Sequence, residues 1–204
     1  RRQRQMCIRD SLGVAGKFVG VTGDTHPDYV ASYIATVACG GGIVPLDKDI
    51  SAEQFVGFVE MCGIELIVYT SSLHKKMLEV YERLGDVKYF VGIDCDGEGF
   101  PKDERFMTFE KFFEIGKEAY EAGDRTAENQ IVDKEKLCTI LFTSGTTGTS
   151  KGVMLNQRNL VTATMDSVSI MAATEKDFFV SVLPIHHSYE FTCEQLALPN
   201  TGAQ

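Results

Sequence analysis

From residue 17 to residue 93, short apolar runs alternate with segments whose apolar residues recur at helical spacing, and few architectures accept that order. "KFVGVTG" has the length and branched content of a buried strand, and "HPDYVASYIATVACG" places Tyr29, Val30, Tyr33, Ile34 and Val37 at helical spacing. Pro27 suits a first helical turn and Gly40 a stop. "GIVPLD" returns to strand, and Ser51 with Gln54 makes a capping-box pattern ahead of Phe55, Val56, Phe58 and Val59. "ELIVYT" is a third strand, Ser72 is expected to cap a helix running through Leu84, and "VKYFVGI" is a fourth strand. Strands separated by helical crossovers pair in parallel, so the expected class is α/β, a mostly parallel sheet with flanking helices.

The pattern continues with less regularity. "DCDGEGFPKDE" concentrates carboxylates but lacks the length and closing Glu of a calcium loop, so it reads as a solvated turn. Phe106 to Tyr120 reads as an amphipathic helix and "EAGDRTAENQIVDKEK" as an exposed connection. "LCTILFT" and "GVML" are expected strands, "NQRNLVTATMDSVSIMAA" a helix, and "DFFVSVLP" a further strand.

Charge narrows the function. A formal net charge of -9 and a pI near 4.9 leave no broad positive field, which opposes nonspecific binding to nucleic acid or an anionic bilayer. The basic opening "RRQRQ" is too short to change this and reads as a solvated terminus or linker. The uncharged run from Tyr29 to Leu46 is divided by Gly40, Gly41 and Gly42, so no integral membrane segment is expected. Six cysteines without a CxxC pair read as reduced residues of a cytoplasmic protein.

Between the strands "LCTILFT" and "GVML" stand five hydroxyl side chains, Gly145, Gly148 and Lys151. Phosphate oxygens are approached closely by backbone N–H groups where no side chain intervenes, which is what Gly145 and Gly148 permit, with Gly152 easing the exit. Thr143, Ser144, Thr146, Thr147 and Thr149 add hydroxyl donors, and Lys151 adds a compact positive charge. A Walker A loop requires a terminal Gly-Lys-Ser/Thr, whereas Ser150 precedes Lys151 and Gly152 follows it. No GxGxxG follows the first strand, which disfavours a dinucleotide dehydrogenase.

"FTSGTTGTSKGVML" closely resembles the phosphate-loop signature of the adenylate-forming superfamily, which includes acyl-CoA synthetases, peptide-synthetase adenylation domains and firefly-type luciferases. "VGVTGDTHPDYVASYIATVACGGGIVPLDKDIS" is similar to that family's early strand-helix-strand passage, and "VLPIHHSYEF" to a later motif bordering the acyl pocket. His187 matches a family histidine, His186 stands where an aromatic is more typical, and Glu190 stands where many members carry glycine. Ser150 replaces the usual proline of the loop, and Gln157 a common histidine beyond it.

The resemblance implies that residues 1–204 are an incomplete N-terminal adenylation domain, with its phosphate loop at 143–152 and the C-terminal domain absent. It implies a ligase in which a carboxylate attacks the α-phosphorus of ATP, assisted by Mg2+, and the resulting acyl-adenylate passes its acyl group to CoA. Thr143, Ser144, Gly145, Thr146, Thr147, Gly148 and Lys151 would hold the phosphates, and His187 would border the substrate. His186 is expected to serve packing, and neither histidine has partners at metal-ligand spacing. A fatty-acid or other acyl-CoA synthetase leads, with a peptide-synthetase adenylation domain or a noncatalytic nucleotide-binding module as alternatives. Residues 1–204 by themselves are expected not to complete adenylation.

Overall fold

The computed structural model describes residues 17–126, 128–143 and 150–203. The basic terminus, Cys7 and the loop residues Ser144, Gly145, Thr146, Thr147, Gly148 and Thr149 lie outside the described residues.

β1 (Phe18–Thr22), β2 (Gly42–Leu46), β3 (Ile64–Thr70) and β4 (Tyr89–Ile93) form where the apolar runs predict them. Helix α1 (Pro27–Ala38) carries Pro27 in its first turn, and α2 (Ala52–Cys62) begins at the Ser51–Gln54 capping box. Ser51 Oγ accepts from the Gln54 amide at 3.2 Å and Gln54 Oε1 accepts from the Ser51 amide at 3.3 Å, an arrangement that contributes about 1 kcal/mol. Gly63, at φ 60°, ends α2 in the left-handed conformation. Beyond follow α3 (His74–Val80), β5 (Phe106–Thr108), α4 (Phe109–Glu121), β6 (Leu137–Thr143), β7 (Lys151–Asn156) and α5 (Gln157–Met171). A π-helical segment, Glu190–Ala197, leads into the short α6 (Leu198–Thr201).

The strand order is β5-β4-β3-β1-β2-β6-β7. Every pairing is parallel except β6 with β7, which form an antiparallel hairpin. Successive strand residues point to opposite faces, and each face has its own core. Val19, Val21, Leu66 and Val68 pack with Tyr29 and Tyr33 of α1 and Phe109 and Phe112 of α4. Ile67, Tyr69, Val44 and Leu46 pack with Phe55, Val56 and Val59 of α2 and Met77 of α3.

Three expectations are corrected. Ser72 caps no helix: it sits in a 3-10 turn, its hydroxyl 3.0 Å from Thr70 Oγ1, and the α-helix runs only from His74 to Val80 before a second 3-10 turn. Phe106–Thr108 is an edge strand on β4, because Phe106 stacks on the buried Phe90 at 4.7 Å; the helix starts after Thr108, whose side chain accepts from the Lys111 amide. "DFFVSVLP" forms no strand: Phe178, Val180 and Val182 are exposed, and among the described residues no neighbouring strand pairs with them. The "DCDGEGFPKDE" segment is the solvated turn its composition predicts, with Asp96 accepting from the Glu98 amide. No described helix is long and apolar enough to cross a membrane.

Candidate functional site

Ligands of open parallel sheets bind beyond the carboxyl ends of the strands. β2 and β6 are neighbours there, with Ile43 opposite Thr139, and carrying that register forward brings Asp47 beside Thr143. Both line a cleft of about 460 Å³ together with Ser150, His186, His187 and Ser188. Its apolar wall includes Phe58 and Phe142, whose rings stack at 3.8 Å and join α2 to β6. Buried hydrogen bonding fixes β6 from the other side of the sheet, where Tyr33 Oη lies 2.8 Å from Thr139 Oγ1.

The hairpin sets the ends of the glycine-rich loop. Thr143 and Lys151 are paired in register, so the connection leaves and re-enters the sheet at one point on the cleft rim. Gly152 is closely packed: a Cβ there would stand 3.1 Å from Ile140 Cγ2, so that side chain would have to shift by a few tenths of an ångström. Lys151 is exposed at the head of β7. Of the seven residues predicted to hold phosphate, Thr143 and Lys151 are thus brought together, and the other five lie outside the described residues.

His187 lies on the same cleft, exposed, with its Nδ1 accepting from the Tyr189 amide at 3.4 Å. His186, expected to pack, also faces the cleft; its Nε2 stands 3.7 Å from Asp47 Oδ2. Burial pushes the His186 imidazole below its ordinary pKa against the pull of Asp47. Asp47 is itself held in place. Its Oδ1 accepts from the Asp49 amide at 2.9 Å, and Lys76 Nζ ties down the carbonyls of Lys48 and Ile50. Sequence reasoning missed Asp47; the available signal was an acidic residue immediately after the second strand, at the ligand-binding edge.

Glu190 does not enter the cleft. Its side chain is fully buried, with Oε1 accepting from the Ser181 hydroxyl and Oε2 unpartnered. Burial, together with the adjoining Glu190 carboxyl, pushes Glu194 up to about 7. A carboxyl whose pKa is higher folded than unfolded binds more protons in the native state, so its contribution to stability falls as pH rises from about 4.5 to about 7. Glu194→Gln is therefore expected to flatten the stability profile across that window, as read by denaturant melts at closely spaced pH; an unchanged slope would contradict this.

A second cavity, about 320 Å³ and almost wholly apolar, lies between α1, α5 and the π-helical segment, lined in part by Ile34, Val37, Leu160 and Val161. It carries none of the predicted site residues. Among the described residues no cluster of three or more His, Cys, Asp or Glu side chains is arranged to hold a metal.

Known proteins share sequence and fold with this chain. Over 179 residues the chain is 31% identical to a long-chain-fatty-acid–CoA ligase of Macaca fascicularis, covering 83% of this chain and 24% of that protein. The chain thus spans about a quarter of the length of that curated relative. The structure of a red-emitting luciferase from Phrixothrix hirtus superposes with a TM-score of 0.82 at 16% identity, covering 99% of this chain and 38% of that one. ATP-bound MatB from Rhodopseudomonas palustris gives 0.72 at 22% identity, covering 99% and 38%. A model of the AMP-binding enzyme family matches residues 7–204, nearly the whole chain, and the chain belongs to that family.

Proposed function

We propose that the chain is the phosphate-loop-bearing part of an ATP-dependent acid–thiol ligase that activates a fatty acid or related carboxylic acid and transfers it to CoA. The observation that carries this reading is the convergence of the glycine-rich hairpin and the 186–188 turn on one cleft, in a chain of the AMP-binding family whose curated relative is a long-chain-fatty-acid–CoA ligase.

The donor set fits a polyanion. Thr143, Ser150 and Ser188 present hydroxyls, His186 and His187 present imidazoles, and Lys151 stands at the rim. Asp47 adds a carboxylate to the lining: one oxygen accepts from the Asp49 amide and the other faces His186 at 3.7 Å. A carboxylate and a phosphate repel each other in solution, and the task of such a site is to hold both in line and offset their charge with fixed donors. Thr143 and Lys151 would anchor the phosphate chain, with Ser144, Gly145, Thr146, Thr147 and Gly148 completing the loop between them, while His187 would border the carboxylate. ATP is proposed to enter as its Mg2+ complex, and a cytoplasmic setting suits these substrates.

The test is carboxylate-dependent exchange of pyrophosphate into ATP by the complete enzyme that carries this chain, across a panel of carboxylic acids, followed by thioester formation with CoA. The expected result is exchange that requires a fatty acid and product that requires CoA. Nucleotide binding without carboxylate-dependent exchange would favour a noncatalytic module instead.

A further inference from the structure

His186 stands apart from the other polar groups of the cleft because it is half-buried and titratable and because its partner is fixed from elsewhere. The Asp47 carboxylate is oriented by its own turn, and that turn is anchored by Lys76, so the oxygen facing His186 is held in position before any ligand arrives. The geometry is that of a cation site at half strength: one acidic oxygen at 3.7 Å, too far for a tight ion pair, and a ring facing the space beside Thr143 and Ser150.

We propose that His186 is a proton-linked binding residue, neutral when the cleft is empty and protonated when a phosphate chain enters, so that one proton is taken up from solvent onto the imidazole as the polyanion binds. This rests on the reading of the cleft as a nucleotide site. A neutral ring costs little to keep half-buried, whereas an imidazolium there needs more negative charge than Asp47 supplies. A phosphate chain brings that charge, and the resulting cation faces it together with the hydroxyls of Thr143 and Ser150.

Asp47 and Asp49, on the connection after β2, favour the cation, while Lys48 on the same connection and His187 on the same turn oppose it. From the hairpin, Thr143 and Ser150 are uncharged, and Lys151, next to Ser150, adds a cation that opposes protonation. Burial outweighs these charges and holds the imidazole below its ordinary pKa in the empty protein. The sign then follows: a ligand that raises the pKa of a group binds more tightly as pH falls from that group's pKa in the complex towards its pKa in the empty protein, which for His186 lies below the ordinary imidazole value. Each unit by which the ligand raises the imidazole pKa corresponds to about a tenfold gain in affinity at the acid end.

Two measurements on the full chain test this with Mg-ATP as probe. The imidazole of His186 is followed by 1H–15N NMR as pH is varied, with and without Mg-ATP, and calorimetric titrations in buffers of different ionisation enthalpy give the protons taken up. The expected results are a higher His186 pKa in the presence of Mg-ATP, and proton uptake that is present in the wild type and lost in His186→Gln. In the empty protein Asp47→Asn should move the His186 titration to lower pH. Comparing wild type with variant in the same buffers cancels the protonation of the nucleotide itself. Saturable binding with identical proton uptake in wild type and His186→Gln, or a His186 titration that Mg-ATP leaves in place, would overturn this inference while the nucleotide reading stands. Absence of saturable binding at every pH would overturn both.

Discussion

Phe90→Ala is expected to lower the free energy of unfolding by about 3–5 kcal/mol, a large fraction of the stability of a domain of this size. Phe90 is fully buried on β4, the second strand from the sheet edge, on the α2–α3 side, and its ring stacks on Phe106 at 4.7 Å. Arg105 lies over the same ring at 5.4 Å, while its guanidinium also binds Asp103 and the carbonyls of Leu84 and Val87. Truncation leaves a cavity and removes the surface on which β5 is seated, so neighbouring groups cannot collapse to refill it without breaking the Arg105 contacts. Denaturant melts monitored by far-UV circular dichroism provide the check. A loss below 1 kcal/mol would mean that this edge of the sheet is not packed as described.

Lys151→Ala is expected to weaken Mg-ATP binding by about 10–100-fold, the range for losing one charge-assisted contact, with stability changed by less than about 0.5 kcal/mol. The two effects separate because Lys151 is exposed and its backbone, not its side chain, makes the pairing with Thr143. Raising ionic strength should narrow the difference between wild type and variant, since the contact lies at a solvent-exposed rim. Equal affinities at low salt would remove Lys151 from the phosphate-binding set.

What was legible in the sequence depended on whether local signals and burial agreed. β1 to β4 carry continuous apolar runs and α2 carries a complete capping box, so pattern and packing point the same way and those elements fall where expected. The segment 106–108 misled because Phe106, Phe109 and Phe112 keep helical spacing; the stacking of Phe106 on Phe90, sixteen residues earlier, decides in favour of strand and is invisible to any local window. At 178–183 the composition is that of a strand, but a strand exists only with a hydrogen-bonded neighbour, and among the described residues it has none. The site divides the same way. The glycine-rich loop is written in consecutive residues, whereas Asp47 joins the cleft only because β2 pairs with β6 across nearly a hundred residues of chain. His186 changes from an expected packing residue to a cleft residue for the same reason.

The most direct test of the central claim is a 1H–15N correlation titration of the labelled chain with Mg-ATP. Saturable shifts are expected at Thr143, Ser150 and His186 to Ser188, which line one cleft, and at Lys151, paired with Thr143 beside it. Shifts confined to the apolar groove between α1 and α5, or none at the cleft at saturating nucleotide, would contradict it.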